Sequence, residues 1–220
     1  YNRILIVTDS VFSMDGDLAP LPDLVKITAK YNAMLMVDEA HGTGVFGQNG
    51  RGVVEHFNLC KEVDIVMGTL SKAIGSLGGY VSGDIELISY LRNKARSFMY
   101  TTALPPAVCA ASIAGIKLIQ EDPSMRVSLW HNVRFIKDKL RSLNINTISS
   151  ESQIIPILIG DTKKAVNISK LLYESGILIP AIRPPTVPAN SSRLRMTVMS
   201  SHTKKDLEQL AQVLNEVLSL

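Results

Sequence analysis

Cysteine is scarce in this chain. Cys60 and Cys109 stand far apart and match no metal-ligand or redox spacing. That argues against a disulfide scaffold or a cysteine-built metal centre, and it leads us to expect reduced thiols in a cytosol-like compartment. Aromatic residues are also few, with six Tyr, five Phe and one Trp. The 23 basic side chains nearly balance the 20 acidic ones and form no long block, so the footprint of a nucleic-acid-binding surface is missing. No apolar run reaches the roughly 18 to 20 residues needed to span a bilayer. The start, Tyr1 to Thr8, has neither an initiator Met nor signal-peptide architecture. It reads as a strand already inside a domain, and the expectation is a chain that begins mid-protein.

What is present is ordinary globular material: 220 residues, 46% hydrophobic and 20% charged, enough for one large domain or two small ones. Short apolar runs at 3–8, 33–38 and 63–68 read as strands, and the stretch at 21–31 reads as a helix. This alternation predicts an α/β fold with a mostly parallel sheet. The uninterrupted run Ala33 to Val37 suits a strand buried on both faces. A fourth strand follows at 79–82. Asp84 is placed to N-cap a helix with Ile85, Leu87, Ile88 and Leu91 on its apolar side. A helix opening at Pro105-Pro106 is apolar and small through Ile119 and is expected to be buried. The pattern changes near residue 120. A long amphipathic helix at about 123–143 precedes strand, helix, strand, strand and helix at 153–159, 161–175, 177–182, 193–199 and 203–218. Residues 1–120 are thus expected to form part of a large domain, and 121–220 a smaller α/β domain.

The stretch "VDEAHGTGVFG" (37–47) sets Asp38 and His41 three residues apart where an apolar strand meets a glycine-rich turn. Strand ends of this kind are where open α/β sheets hold ligands. Downstream, in "GTLSKAIGSLGGYVSG" (68–83), Lys72 is followed by small and apolar residues. Loss of hydration there would lower its pKa and free an amine to attack a carbonyl. Pyridoxal 5′-phosphate connects the two stretches. It needs a lysine for its aldehyde, a carboxylate for its ring nitrogen, a donor to its phenolate oxygen, and hydroxyls or amides for its phosphate. Lys72, Asp38, His41 and Thr69 supply that set, and the glycines at 42, 44, 78 and 79 allow close backbone approach. Taken singly, each residue has a plainer reading, as a helix cap, a structural histidine, a solvated lysine or a turn. Their joint occurrence at successive strand ends favours the cofactor.

"TDSVFSMDGDLAPL" (8–21), "VDEAHGTGVFG" and "GTLSKAIGSLGGY" closely resemble the α-oxoamine synthases, pyridoxal-phosphate enzymes of the aspartate-aminotransferase fold (fold type I) that condense an amino acid with an acyl thioester. "AIRPPTVPANSSRLRMTVMSSHT" (181–203) is most similar to the branch that uses L-alanine and a pimeloyl thioester, on coenzyme A or a carrier protein, in making a biotin precursor. The resemblance covers essentially the whole chain. It implies that Lys72 carries the cofactor and moves protons, that Asp38 pairs with the ring nitrogen, and that His41 and Ser13 contact the phenolate oxygen. By the same resemblance Thr69 touches the phosphate, and Thr101 or Thr102, in "YTTALPP", reaches a partner's phosphate across a homodimer. Arg195 grips the amino-acid carboxylate, a task that suits a guanidinium fork, and Thr186 contacts substrate near the acyl entrance. Arg183, ahead of two prolines, is a candidate contact to a distal substrate carboxylate.

From chemistry alone, Ser13 and Thr186 could equally be turn hydroxyls. Arg193 and Arg195 alternate with Leu194 and Met196, so their shared face could simply be solvated. His202 reads as a cap before the last helix, and His56 and His131 as surface residues. Rival readings within the family use glycine or serine. A rival from another class is a non-catalytic subunit, which the joint presence of Lys72, Asp38 and His41 argues against. The resemblance also implies that well over a hundred residues precede the position of Tyr1, including the group that stacks on the cofactor ring.

Overall fold

The computed structural model describes residues 3–219; Tyr1, Asn2 and Leu220, and the reading that starts on the first two, lie outside them. The chain divides into two compact units. The first holds residues up to Val11 and Leu18–Pro123; the second holds Phe12–Asp17 and Ser124 onward. The short excursion of 12–17 into the second unit has no counterpart in a division drawn near residue 120.

In the first unit, β1 (Leu5–Asp9), β2 (Met34–Asp38), β3 (Ile65–Thr69) and β4 (Gly79–Gly83) lie side by side in chain order. β1, β2 and β3 are parallel, while β4 returns antiparallel to β3. The loop of residues 70–78 explains the reversal, because a parallel return needs a crossover of a dozen residues or more. α1 (Leu21–Tyr31) makes the β1–β2 crossover, with Pro22 in its first turn and Asn32 in the left-handed conformation at its end. The core gathers Leu21, Leu35, Val37, Phe46, Val53 and Val54, the last two from α2 (Val53–His56), a single turn that has no sequence signature.

Three expectations are corrected here. Within this chain β2 is fully covered on one face only: Leu35 and Val37 are fully buried, whereas Met34 is 39% exposed and Met36 half-buried. The helix expected from Pro105, α5 (Pro106–Glu121), follows α3 (Ile85–Lys94) and the short α4 (Arg96–Met99), and Ser112 is its single buried residue. Ile113, Ile116 and Leu118 are exposed, so its apolar composition is not matched by burial within this chain. Asp84 holds the N-cap position of α3 but its side chain makes no capping bond, and α3 buries none of its residues.

The second unit packs α6 (Ser124–Ser142), α7 (Thr162–Glu174) and α8 (Lys204–Leu218) with an antiparallel sheet ordered β5 (Ile154–Gly160), β7 (Ser192–Thr197), β6 (Ala181–Ile182). β6 is two residues long, much shorter than the strand read at 177–182. Leu129, Val133, Ile136 and Leu140 repeat at helical spacing along α6, and Leu207, Leu210, Leu214 and Val217 along α8, and both sets are buried. Asp161 caps α7 by accepting from the Lys164 amide at 2.7 Å. Thr203, not His202, caps α8, in a reciprocal box with Asp206. His202 instead accepts from the Met199 amide through Nδ1 at 3.2 Å.

Trp130 lies in α6, so its fluorescence reports the second unit alone. Followed by that signal in urea, Leu214→Ala, at a fully buried position, is expected to cost about 2–5 kcal/mol of stability. Thr203→Ala is expected to cost about 1 kcal/mol.

Candidate active site

The parallel strands bring three polar residues to neighbouring C-terminal ends: Asp9 on β1, Asp38 on β2 and Thr69 on β3. The ladder runs one residue further, with the Ser10 amide donating to Asp38 O and the Glu39 amide to Met67 O, each at 2.8 Å. Asp38 is therefore held by backbone on both sides, and its Oδ1 accepts from the Ala40 amide at 2.8 Å.

Glu39 turns the other way, into the protein, where it is fully buried. Its Oε2 accepts from Ser10 Oγ and its Oε1 from the Val54 amide, both at 2.7 Å. Burial pushes its carboxyl above the ordinary value of 4.5, the Asp38 charge adds to the rise, and the amides of Val53 and Val54 oppose it. The packing around this carboxyl explains Gly42: a Cβ there would lie 1.9 Å from Glu39 Oε2. That glycine is required by the protein's own interior, a use its sequence reading as room for a ligand did not foresee.

From this anchored turn His41 reaches Lys72, its Nε2 lying 3.0 Å from Lys72 Nζ. Lys72 sits in the loop between β3 and β4, which is closed by the Leu70 amide on Gly78 O at 2.9 Å and the Gly75 amide on Lys72 O at 3.0 Å. Gly75 and Gly78 hold positive φ there. Lys72 is exposed, so within this chain its small and apolar sequence neighbours do not desolvate it. Charge shapes its surroundings instead. Asp9 is raised by burial first and by the Asp38 carboxylate second, and is drawn down by Lys72. Thr69 Oγ1 pairs with Ser71 Oγ at 2.7 Å and donates to Gly78 O at 3.1 Å. Thr101 and Thr102 are exposed, in the stretch between α4 and α5.

Other residues of interest lie in the second unit. Arg195 Nε donates to Ser13 O at 2.5 Å, and Nη1 to Thr197 Oγ1 at 3.3 Å. Arg193 is 5% exposed, donates to Ser191 O at 3.0 Å through Nε, and is ion-paired with Asp15. Burial lowers the pKa of both guanidinium groups, so the arginine face of β7 is not the solvated one its alternation allowed. Arg183 and Thr186 are exposed in one turn, closed by the Thr186 amide on Arg183 O at 3.1 Å. His56 and His131 are exposed.

Asp9, Glu39 and Ser71 had not been singled out from sequence. Ser71 stands beside Lys72 in "TLSK", where a hydroxyl two residues after Thr69 was the available signal. Among the described residues no group of His, Cys, Asp and Glu could hold a metal ion, and no helix is long and apolar enough to cross a membrane.

A family model described as aminotransferase class I and II matches residues 1–214. The chain belongs to that family. It is 50% identical to the 8-amino-7-oxononanoate synthase of Citrifermentans bemidjiense over 98% of its own length and 56% of that protein's. It superposes on serine palmitoyltransferase from S. paucimobilis, solved with a bound PLP–myriocin aldimine, with TM-score 0.92 and 32% identity over 97% of this chain and 54% of that one. The 8-amino-7-oxononanoate synthase of Francisella tularensis gives TM-score 0.87 and 29% identity over 99% and 63% of the two chains. The fold is thus that of the fold type I, aspartate-aminotransferase-like enzymes. The chain spans about half the length of the curated relatives it matches.

The raised carboxyl of Glu39 gives a signed expectation. The folded first unit binds this proton more tightly than the unfolded chain, so stability should fall as pH rises from 4.5 through the raised value. Glu39→Gln should flatten that slope in urea unfolding followed from about pH 4 to about pH 8. Glu39→Ala, which strands a buried amide and hydroxyl, should cost about 2–4 kcal/mol.

Proposed function

We propose that this chain provides the lysine-bearing part of a pyridoxal-phosphate site in an enzyme that condenses L-alanine with a pimeloyl thioester, a reading supported by its likeness to proteins named 8-amino-7-oxononanoate synthase. The observation that carries the reading is Lys72 Nζ 3.0 Å from His41 Nε2, in the loop following β3, with Asp38 ending the adjacent strand. The donor set fits the cofactor. There is an amine for its aldehyde, a backbone-held carboxylate for its ring nitrogen, an imidazole for its phenolate oxygen, and the paired hydroxyls of Thr69 and Ser71 for its phosphate. When bound, pyridoxal phosphate supplies an electron sink for charge developing at the amino acid's α-carbon.

The chain's own groups do the rest. Asp38 keeps a proton on the ring nitrogen through an ion pair. Lys72 would hold the cofactor's aldehyde and, once its amine is free, would take the α-proton and later return one. His41 orients the Lys72 amine and donates toward the phenolate oxygen, a task shared with Ser13. Arg195 binds the amino-acid carboxylate, Thr186 and Arg183 line the acyl side, and Thr101 or Thr102 serves a partner subunit's phosphate in a homodimer.

Serine palmitoyltransferase, with its TM-score of 0.92, favours a second reading in which serine replaces alanine. The 50% identity to a protein named 8-amino-7-oxononanoate synthase, against 32% to that palmitoyltransferase, supports the first.

The test is an absorption scan of the purified protein with added pyridoxal phosphate, borohydride reduction and peptide mapping. A yellow species fixed on Lys72, lost in Lys72→Ala and perturbed by alanine before glycine or serine, is the expected result. Labelling scattered over surface lysines would overturn the cofactor assignment, and perturbation by serine alone would overturn the choice of alanine.

A further inference from the structure

Arg195 does not stand alone on β7. Arg193, two residues earlier, shares its face, while Leu194 and Met196 are buried opposite. The Arg193 guanidinium is inside the protein, and its ion-pair partner is Asp15, 178 residues earlier in sequence. Asp15 belongs to the tight turn of residues 12–17, which is closed by the Gly16 amide on Phe12 O at 2.8 Å and the Phe12 amide on Asp17 O at 3.0 Å. The turn is fixed a second time at Gly16, whose carbonyl accepts from the Glu151 amide at 2.9 Å. A Cβ on Gly16 would lie 2.2 Å from Ile154 O. The same turn presents Ser13 O to Arg195 Nε at 2.5 Å.

We infer that the Asp15–Arg193 ion pair is a positioning device for Arg195: by pinning the 12–17 turn to β7 it sets the Ser13 carbonyl that holds one edge of the Arg195 guanidinium. With Nε committed to Ser13, the side-on edge that pairs Nε with an Nη is taken. A carboxylate is then gripped end-on by the two Nη nitrogens. Because a bidentate grip depends on angle as well as distance, releasing the turn lets the fork rotate and weakens amino-acid binding without touching the group that moves protons. This inference rests on the assignment of Arg195 as the carboxylate ligand.

The experiment uses the full chain, with whatever sequence flanks it in its gene, as wild type, Asp15→Asn, Asp15→Glu and Arg195→Lys. Asp15 is partly exposed, so its isosteric Asn variant is suited to fold. The expected result is that D15N raises KM for the amino acid about tenfold with kcat within about twofold, and that D15E recovers most of the loss. In arginine-selective NMR the Arg195 Hε, slow to exchange in the wild type, becomes fast in D15N and slow again in D15E. Unchanged Hε exchange and KM in D15N would overturn the inference. The control separates this from the reading beneath it: if R195K binds the amino acid as the wild type does, the assignment of Arg195 fails, while Hε exchange in D15N still decides whether the ion pair holds the turn.

Discussion

The buried carboxyl of Glu39 is the constraint on which the first unit's site depends. A carboxylate without water is costly unless its oxygens are satisfied, and here the partners come from two separate places: Ser10 just past β1 and the first turn of α2. One side chain therefore fixes where two strands end and where the following loop returns. Asp38 and His41, immediately before and two residues after it, inherit their positions from that arrangement. Chemistry shown to solvent at Asp38 is held by chemistry hidden at Glu39.

Most of the architecture was legible because its signals are local. Short apolar runs at 3–8, 33–38 and 63–68 gave β1, β2 and β3, and the amphipathic stretch at about 123–143 gave α6. What failed was the inference from apolarity to burial. Met34 and the apolar residues of α5 show that composition states what a surface would prefer to touch, not whether this chain supplies the contact. The capping of α8 was read one residue early, because His202 and Thr203 can both accept a hydrogen bond and only the backbone angle at Thr203 decides between them.

For the site, the residue types carried the chemistry and their order along the chain carried the placement. Lys72, His41 and Asp38 stand out because a lysine, an imidazole and a carboxylate at consecutive strand ends have few other joint uses, and the structure brings Lys72 and His41 into contact. Asp9 and Glu39 do not, because a single carboxylate beside an apolar run gives no sign of whether it faces out or in. The surroundings of Arg193 were left open for a related reason. Alternation along β7 shows that it shares a face with Arg195, but the partner that buries that face lies at Asp15, beyond the reach of any pattern confined to the strand.

The contact between Lys72 and His41 also changes how the lysine's reactivity is explained. Its sequence neighbours pointed to desolvation, yet the side chain is exposed within this chain. A hydrogen bond between two nitrogens requires one proton between them. With the proton on Nζ, the imidazole must present the lone pair of Nε2; with it on Nε2, the amine must present its own. The 3.0 Å geometry accommodates both arrangements without moving either side chain. The neighbour that shares this proton with Lys72 is held in place by the Glu39 turn, and the charge of Lys72 is felt at Asp9, whose carboxyl it draws down.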